Sequence, residues 1–170
     1  MNTLWTPWRM EHVLGEAGKP EGCLFEPPGM RPQEKKHLLL YRDSWLLVLL
    51  NRFPYANGHL LLAPRRHLAD ITELEGHEHS ALMAMLADCA TILRSRLHPD
   101  GFNIGLNLGS IAGAGIADHL HFHIVPRWQD DHNFMTVCAE IRTIPQHIEQ
   151  TFDLLAPDFR RLLKKRASHE

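Results

Sequence analysis

Short apolar runs alternate with turn formers over the first third of the ordered pattern. Residues 37–42 and 44–50 flank Asp43-Ser44, and His59–Ala63 follows a turn over Arg52–Gly58 that carries Pro54, Asn57 and Gly58. Runs of this length, bounded in this way, predict strands, and two close connections in succession favour antiparallel pairing. Over 76–97 the period changes. Ala81, Leu82, Met85, Leu86, Cys89, Ile92, Leu93 and Leu97 recur at helical spacing with charges between them, and Pro99 and Gly101 mark the end. Phe102–Leu108 is again extended and runs into a small-residue loop, Gly109–Gly115. A further extended run, 119–125, stops near Pro126, and the tail over 145–166 predicts helix in two pieces broken around Pro157. Strands, one long helix, then strands describe an α+β fold. We expect an antiparallel sheet of about five strands, one long helix packed on it, and a helical C-terminal tail. One domain spans 1–170: a Gly- and Pro-rich arm and loop (1–36), a core (37–128) and a C-terminal extension (129–170).

The run His119-Leu120-His121-Phe122-His123-Ile124-Val125 carries the chemistry. Side chains alternate across a strand, so His119, His121 and His123 share one face while Leu120, Phe122 and Ile124 share the face a core can bury. Packing alone rarely calls for three imidazoles on one face, and imidazole serves near neutrality as nucleophile, proton carrier or metal ligand. Neighbours at spacing two lie roughly 6.5–7 Å apart and the outer pair roughly 13 Å apart. This spacing disfavours a three-histidine metal site on this strand alone, and a metal needs another ligand from elsewhere. The loop before the strand, Ala112-Gly113-Ala114-Gly115, lacks bulk, so its amides can approach an anion, and Asn107 could add a side-chain donor. Donors beside a histidine face are what phosphoryl or nucleotidyl transfer requires.

Composition narrows the partners. At 170 residues the chain builds a core without disulfides. A net charge of −2 exerts no general pull on nucleic acid or an anionic membrane. The opening residues, with Trp5, Pro7, Arg9 and Glu11, do not resemble a signal peptide, and runs such as Leu46–Leu50 are too short to span a bilayer. Cys23, Cys89 and Cys138 are odd in number and far apart, as expected of reduced cytoplasmic thiols.

The 119–125 run, as His-φ-His-φ-His-φ-φ with φ apolar, resembles the histidine triad family of nucleotide hydrolases and transferases. The likeness extends to Asn51-Arg52-Phe53-Pro54-Tyr55 with Asn57-Gly58-His59, and to Pro64-Arg65-Arg66-His67. The stretches Leu4–Met10, Ala112–Ile116, Pro126-Arg127-Trp128 and Asn133-Phe134-Met135 resemble a bacterial branch similar to diadenosine tetraphosphate phosphorylases and hydrolases. The resemblance implies that His121 attacks an α-phosphorus to form a nucleotidyl-histidine. It implies that His119 and His123 contact phosphate or orient the nucleophile, and that His59 supports them from the adjacent strand; without the motif, His59 reads equally well as a core histidine. Asn51 matches a ribose-contacting position and Asn107 a phosphate contact, with Gly113, Ala114 and Gly115 beside them. Water or phosphate then accepts the nucleotidyl group. A homodimer is implied, and no cofactor is required.

Two departures stand out. Where many members place Gln or Ser before the nucleophile, this chain has Ala114, Gly115 and Ile116, which leaves Asp118 and Ser110 as the nearest polar groups for the leaving group. Relatives often carry Cys-x-x-Cys joined by two histidines in a zinc site; here Cys23-Leu24-Phe25-Glu26 substitutes a carboxylate. Zinc accepts Cys, His and Glu, so Cys23, Glu26, His67 and His119 form a candidate set, against a plain buried Cys23. Two alternatives to a polyphosphate hydrolase use the same residues: a nucleoside phosphoramidase and a low-turnover nucleotide-binding module. The basic run Arg160, Arg161, Lys164, Lys165 and Arg166 reads as a solvated helix end. Trp5, Trp8, Trp45 and Trp128 read as packing or interface residues.

Overall fold

A computed structural model of the chain describes residues 22–26, 35–129, 131 and 147–168. Five strands, β1 (Leu39–Arg42), β2 (Leu46–Leu50), β3 (Leu60–Pro64), β4 (Gly101–Leu106) and β5 (Phe122–Arg127), form one antiparallel sheet in the order β1-β2-β3-β5-β4. Two helices, α1 (Gly76–Leu97) and α2 (Ile148–Ala167), pack against it. The expected α+β sheet with its long helix and helical tail is the observed fold. No helix among the described residues is long and apolar enough to cross a membrane.

Strand alternation divides the core in two. Leu46, Val48, Leu50, Leu60 and Leu62 face the helices, meeting Leu82, Met85, Leu93, Phe152 and Phe159. Leu47, Leu49, Leu61 and Ala63 point to the opposite face, where Phe25 covers them. Both faces of β2 and β3 are buried, which explains why these strands read as continuous rather than alternating apolar runs. The β1–β2 turn is closed by Asp43, whose Oδ1 accepts from the amides of Trp45 (2.8 Å) and Leu46 (2.7 Å).

Four boundaries differ from expectation. The first run does not begin as a strand: Lys35–His37 is a 3₁₀ turn, and Leu38 sits at φ 57° before β1. A bulge between Leu39 and Tyr41 then turns Leu40 and Tyr41 toward the same core. At the other end, β5 continues through Pro126 to Arg127. Its pairing with β3 stops at Ile124, so at Pro126 only β4 lies alongside, and a residue lacking its N–H donor is tolerated there. The hydrogen-bonded strand also starts late, at Phe122, and Leu120 instead donates its amide to the Leu68 carbonyl (2.7 Å). Finally, the tail helix is unbroken, with Pro157 inside it. Phe152, Leu155, Ala156 and Phe159 are buried on both sides of that proline, and their burial outweighs the roughly 3 kcal/mol that an interior proline costs. The basic end of α2 is not merely solvated: Arg166 pairs with Asp88 (2.6 Å) and Arg161 with Asp158.

Candidate active site

The three triad histidines lie on the Phe25 side of the sheet, and Leu120 and Ile124 are buried among the helix-facing residues, as the alternation predicts. His123 sits opposite Leu61 of β3 and Gly105 of β4. A Cβ built on Gly105 would meet nothing within 4 Å, so the β4 flank of His123 is open. His121 is 5% exposed, with its ring 5.2 Å from Phe25 and edge-on to His123 at 5.0 Å.

Hydrogen bonds assign the tautomer of each ring. A carbonyl oxygen can only accept, so His121 Nδ1 donates to the His119 carbonyl (2.8 Å), leaving the lone pair on Nε2. His119 is reversed: Nε2 donates to the Pro64 carbonyl (2.9 Å), and the lone pair lies on Nδ1, 3.2 Å from Cys23 Sγ. His59 Nδ1 accepts from the Tyr55 amide (3.1 Å), with Asn51 Nδ2 at 3.3 Å. Its Nε2–H is thereby available to His123 Nδ1, 3.0 Å away. His123 in turn keeps a proton on Nε2 and can donate it to an oxygen.

Burial holds these rings neutral. His59, fully buried and facing the rings of His123 and His121, is pushed down to about 3. His123 is pushed down to about 4 by burial and by His121. Burial also lowers His121, against the opposing pull of the His119 carbonyl, and lowers His119, against that of Pro64. A neutral Nε2 lone pair beside a neutral Nε2–H donor is an arrangement for nucleophilic attack on a centre whose departing oxygen takes a hydrogen bond.

Asn51 does not stand apart from this network. Its Oδ1 accepts from the Phe53 amide (3.0 Å) while its Nδ2 faces His59, so it orients the supporting histidine. Asn107 donates to the Gly113 carbonyl (3.2 Å) and pins the loop. The amides of Gly113 and Ala114 close a turn inside that loop, onto Ser110 and Gly109 respectively, so these two do not point outward. Ser110 opens this turn, and Asp118 faces Cys23, whose thiol is raised chiefly by burial and, to a smaller extent, by the charges of Glu26 and Asp118. Tyr55 stands in the segment that carries the resemblance, but no role for it followed from the sequence. Its ring stacks on His59 (4.9 Å, 26°) and reaches toward His123 (6.1 Å), and its place four residues before His59 was the available signal.

On the far side of His119, one ligand atom from each of Cys23, Glu26, His67 and His119 lies within 4.8 Å of the others. His67 Nδ1 is 2.9 Å from Glu26 Oε2. Tetrahedral zinc, with bonds of about 2.0–2.3 Å, spaces its donors about 3.3–3.8 Å apart, so these residues fit such an ion. Burial, the largest influence, raises the Cys23 thiol.

A family model described as "HIT domain" matches residues 32–130, more than half of the chain. The chain belongs to the HIT domain family. The AP-4-A phosphorylase of Mycobacterium tuberculosis is 34% identical over 169 residues, covering 95% of this chain and 86% of that protein. A zinc-bound histidine triad family protein from Mycobacterium smegmatis superposes with a TM-score of 0.60 at 29% identity, covering 75% of this chain and 87% of that one. The diadenosine triphosphate hydrolase of Plasmodium falciparum shares the fold, with a TM-score of 0.56 at 20% identity over 78% and 79% of the two chains. Of the segments that carried the resemblance, Leu4–Met10 and Asn133-Phe134-Met135 lie outside the described residues, as do Trp5, Trp8 and Cys138.

Proposed function

We propose that this HIT-domain chain is an enzyme that cleaves dinucleoside polyphosphates of the diadenosine tetraphosphate type through a covalent nucleotidyl-histidine on His121. The observation that carries it is the opposed pair of tautomers: His121 offers an unprotonated Nε2, and His123 a protonated one. The similarity to an AP-4-A phosphorylase over nearly the whole chain supports the substrate class.

In the first step His121 Nε2 attacks the α-phosphorus, and the bond to the bridging oxygen breaks. His123 Nε2–H hydrogen-bonds the departing polyphosphate oxygen, which leaves as the anion, and His59 Nε2–H holds that tautomer by donating to His123 Nδ1. In the second step water or inorganic phosphate takes the nucleotidyl group and restores neutral His121. His119 contributes its carbonyl, which fixes the His121 tautomer. Its ring, with Cys23, Glu26 and His67, would hold zinc; four protein ligands leave no open position, so the ion would supply structure to the Cys23–Glu26 turn. A homodimer through the edge strand β4, where Ile104 is 46% exposed, and action in the cytoplasm complete the proposal.

Product analysis with diadenosine tetraphosphate tests it. ATP plus ADP, dependent on added phosphate, identifies a phosphorylase; ATP plus AMP in its absence identifies a hydrolase. Two ADP without phosphate would contradict attack at the α-phosphorus, and no turnover would leave only a nucleotide-binding module.

A further inference from the structure

Helix α2 lies beyond the segment that the family model matches, yet its first turns reach the loop that shapes His59. That loop, 52–58, closes on the His59 ring: the Tyr55 amide donates to Nδ1, and the His59 amide donates to the Ala56 carbonyl (3.2 Å). Its far side is clamped twice. At Gly58 (φ 75°) an added Cβ would stand 2.4 Å from Leu97 Cδ1, so the loop is pressed onto the end of α1. At Asn57 the side-chain oxygen accepts a hydrogen bond from Thr151 Oγ1 (2.8 Å), from a residue 1% exposed on α2.

The direction of that hydroxyl is informative. Thr91, on the exposed face of α1, bonds the carbonyl four residues back in its own helix (Ala87, 2.9 Å), the ordinary choice for a helical threonine. Thr151 keeps only a long hydrogen bond to the corresponding carbonyl of His147 (3.4 Å) and makes its shorter one to Asn57 (2.8 Å). Docking of α2 does not depend on it. Lys35–Asp153, Arg96–Asp158 and Arg166–Asp88, each at 2.6 Å, together with Phe152, Leu155 and Phe159, already hold the helix. Thr151 and His59 border the same small hollow, together with Asn51, Pro54 and Asn57.

We propose that Thr151 is a positioning residue for the His59–His123 pair, acting through Asn57 to keep the Tyr55 amide on His59 Nδ1 and so the proton on His123 Nε2. Its catalytic consequence rests on the function proposed above; its structural consequence does not. Thr151→Val keeps the shape and removes the hydroxyl. Histidine side-chain ¹⁵N spectra of this variant should show His59 and His123 drifting to mixed tautomers. With diadenosine tetraphosphate as probe, kcat should fall roughly tenfold, the effect of one lost hydrogen bond on a reacting geometry, while KM stays constant. Thr151→Ser should restore both readouts, and Thr91→Val should change neither. Wild-type spectra and kcat in Thr151→Val, or no rescue by serine, overturn the proposal. A tautomer shift in an enzyme whose wild type does not turn over the probe would overturn the proposed function and uphold the positioning.

Discussion

Two histidines separated by one residue, His119 and His121, hold opposite tautomers. The first donates from Nε2 to Pro64 and turns its free Nδ1 toward Cys23, Glu26 and His67; the second donates from Nδ1 to the His119 carbonyl and keeps Nε2 free beside His123. The side chain is the same in both cases. What separates a metal-ligand corner from a nucleophile corner is which ring nitrogen a backbone carbonyl occupies. Phe25 packs against both rings and marks the boundary between the corners.

Removing one corner should leave the properties of the other. The largest effect is expected from His121→Asn, which should lower turnover of diadenosine tetraphosphate by roughly 10⁴-fold or more, as losing a nucleophile does, while zinc content stays at the wild-type level. Initial rates and metal analysis on the same sample check this; residual activity within tenfold would contradict it. His123→Asn should slow the reaction roughly 10²–10³-fold by withdrawing the hydrogen-bond donor to the leaving group. That loss should shrink for a substrate whose leaving group depends less on that hydrogen bond, such as a nucleoside phosphorofluoridate. Equal losses on both substrates would move the donor role elsewhere.

At the other corner, Cys23→Ala or Glu26→Gln should weaken zinc retention at least 10–100-fold, measured by competition with a chromogenic chelator. Stripping the metal from the wild type should lower Tm by several degrees. Zinc that binds equally in both variants would place the ion somewhere else.

The smallest effect is that of pH on stability. His59 and His123 are held far below the ordinary imidazole value, with His121 and His119 lowered in the same direction. The unfolded chain therefore binds more protons once pH drops below about 6.5. Stability contributed by the neutral rings is complete above that value and is lost progressively as pH falls toward about 4. The acid limb of activity should likewise lie below 6.5 rather than at it. Denaturant unfolding from pH 5 to 8 checks the slope; stability that rises on acidification would contradict neutral burial.

Much of this was legible in the sequence for identifiable reasons. Helix α1 is bounded where its period ends, because the 3.6-residue repeat and Pro99 act locally, and the triad faces follow from strand alternation alone. Long-range contacts decided what the pattern did not. Pro157 reads as a break until the buried neighbours at 152, 155 and 156 are known. Asn51 and Asn107 read as ligand contacts from the resemblance, and the pattern gave no sign that the fold also brings one to His59 and the other to Gly113. Spacing alone joins Glu26 only to Cys23; the resemblance added His67 and His119 to the set, and the fold brings Glu26 and His67 together across 41 residues. Thr151, ninety-four residues from Asn57, left no local trace at all.

The most direct test quenches the reaction of the wild-type enzyme with adenine-labelled diadenosine tetraphosphate under alkaline conditions, which preserve phosphoramidate bonds, and maps the label by peptide mass analysis. One adenylate on the peptide carrying His121, forming faster than turnover and absent in His121→Asn, is the predicted result. Turnover without that adduct at any quench time, or label on another residue, would contradict the assignment of His121 as the attacking group.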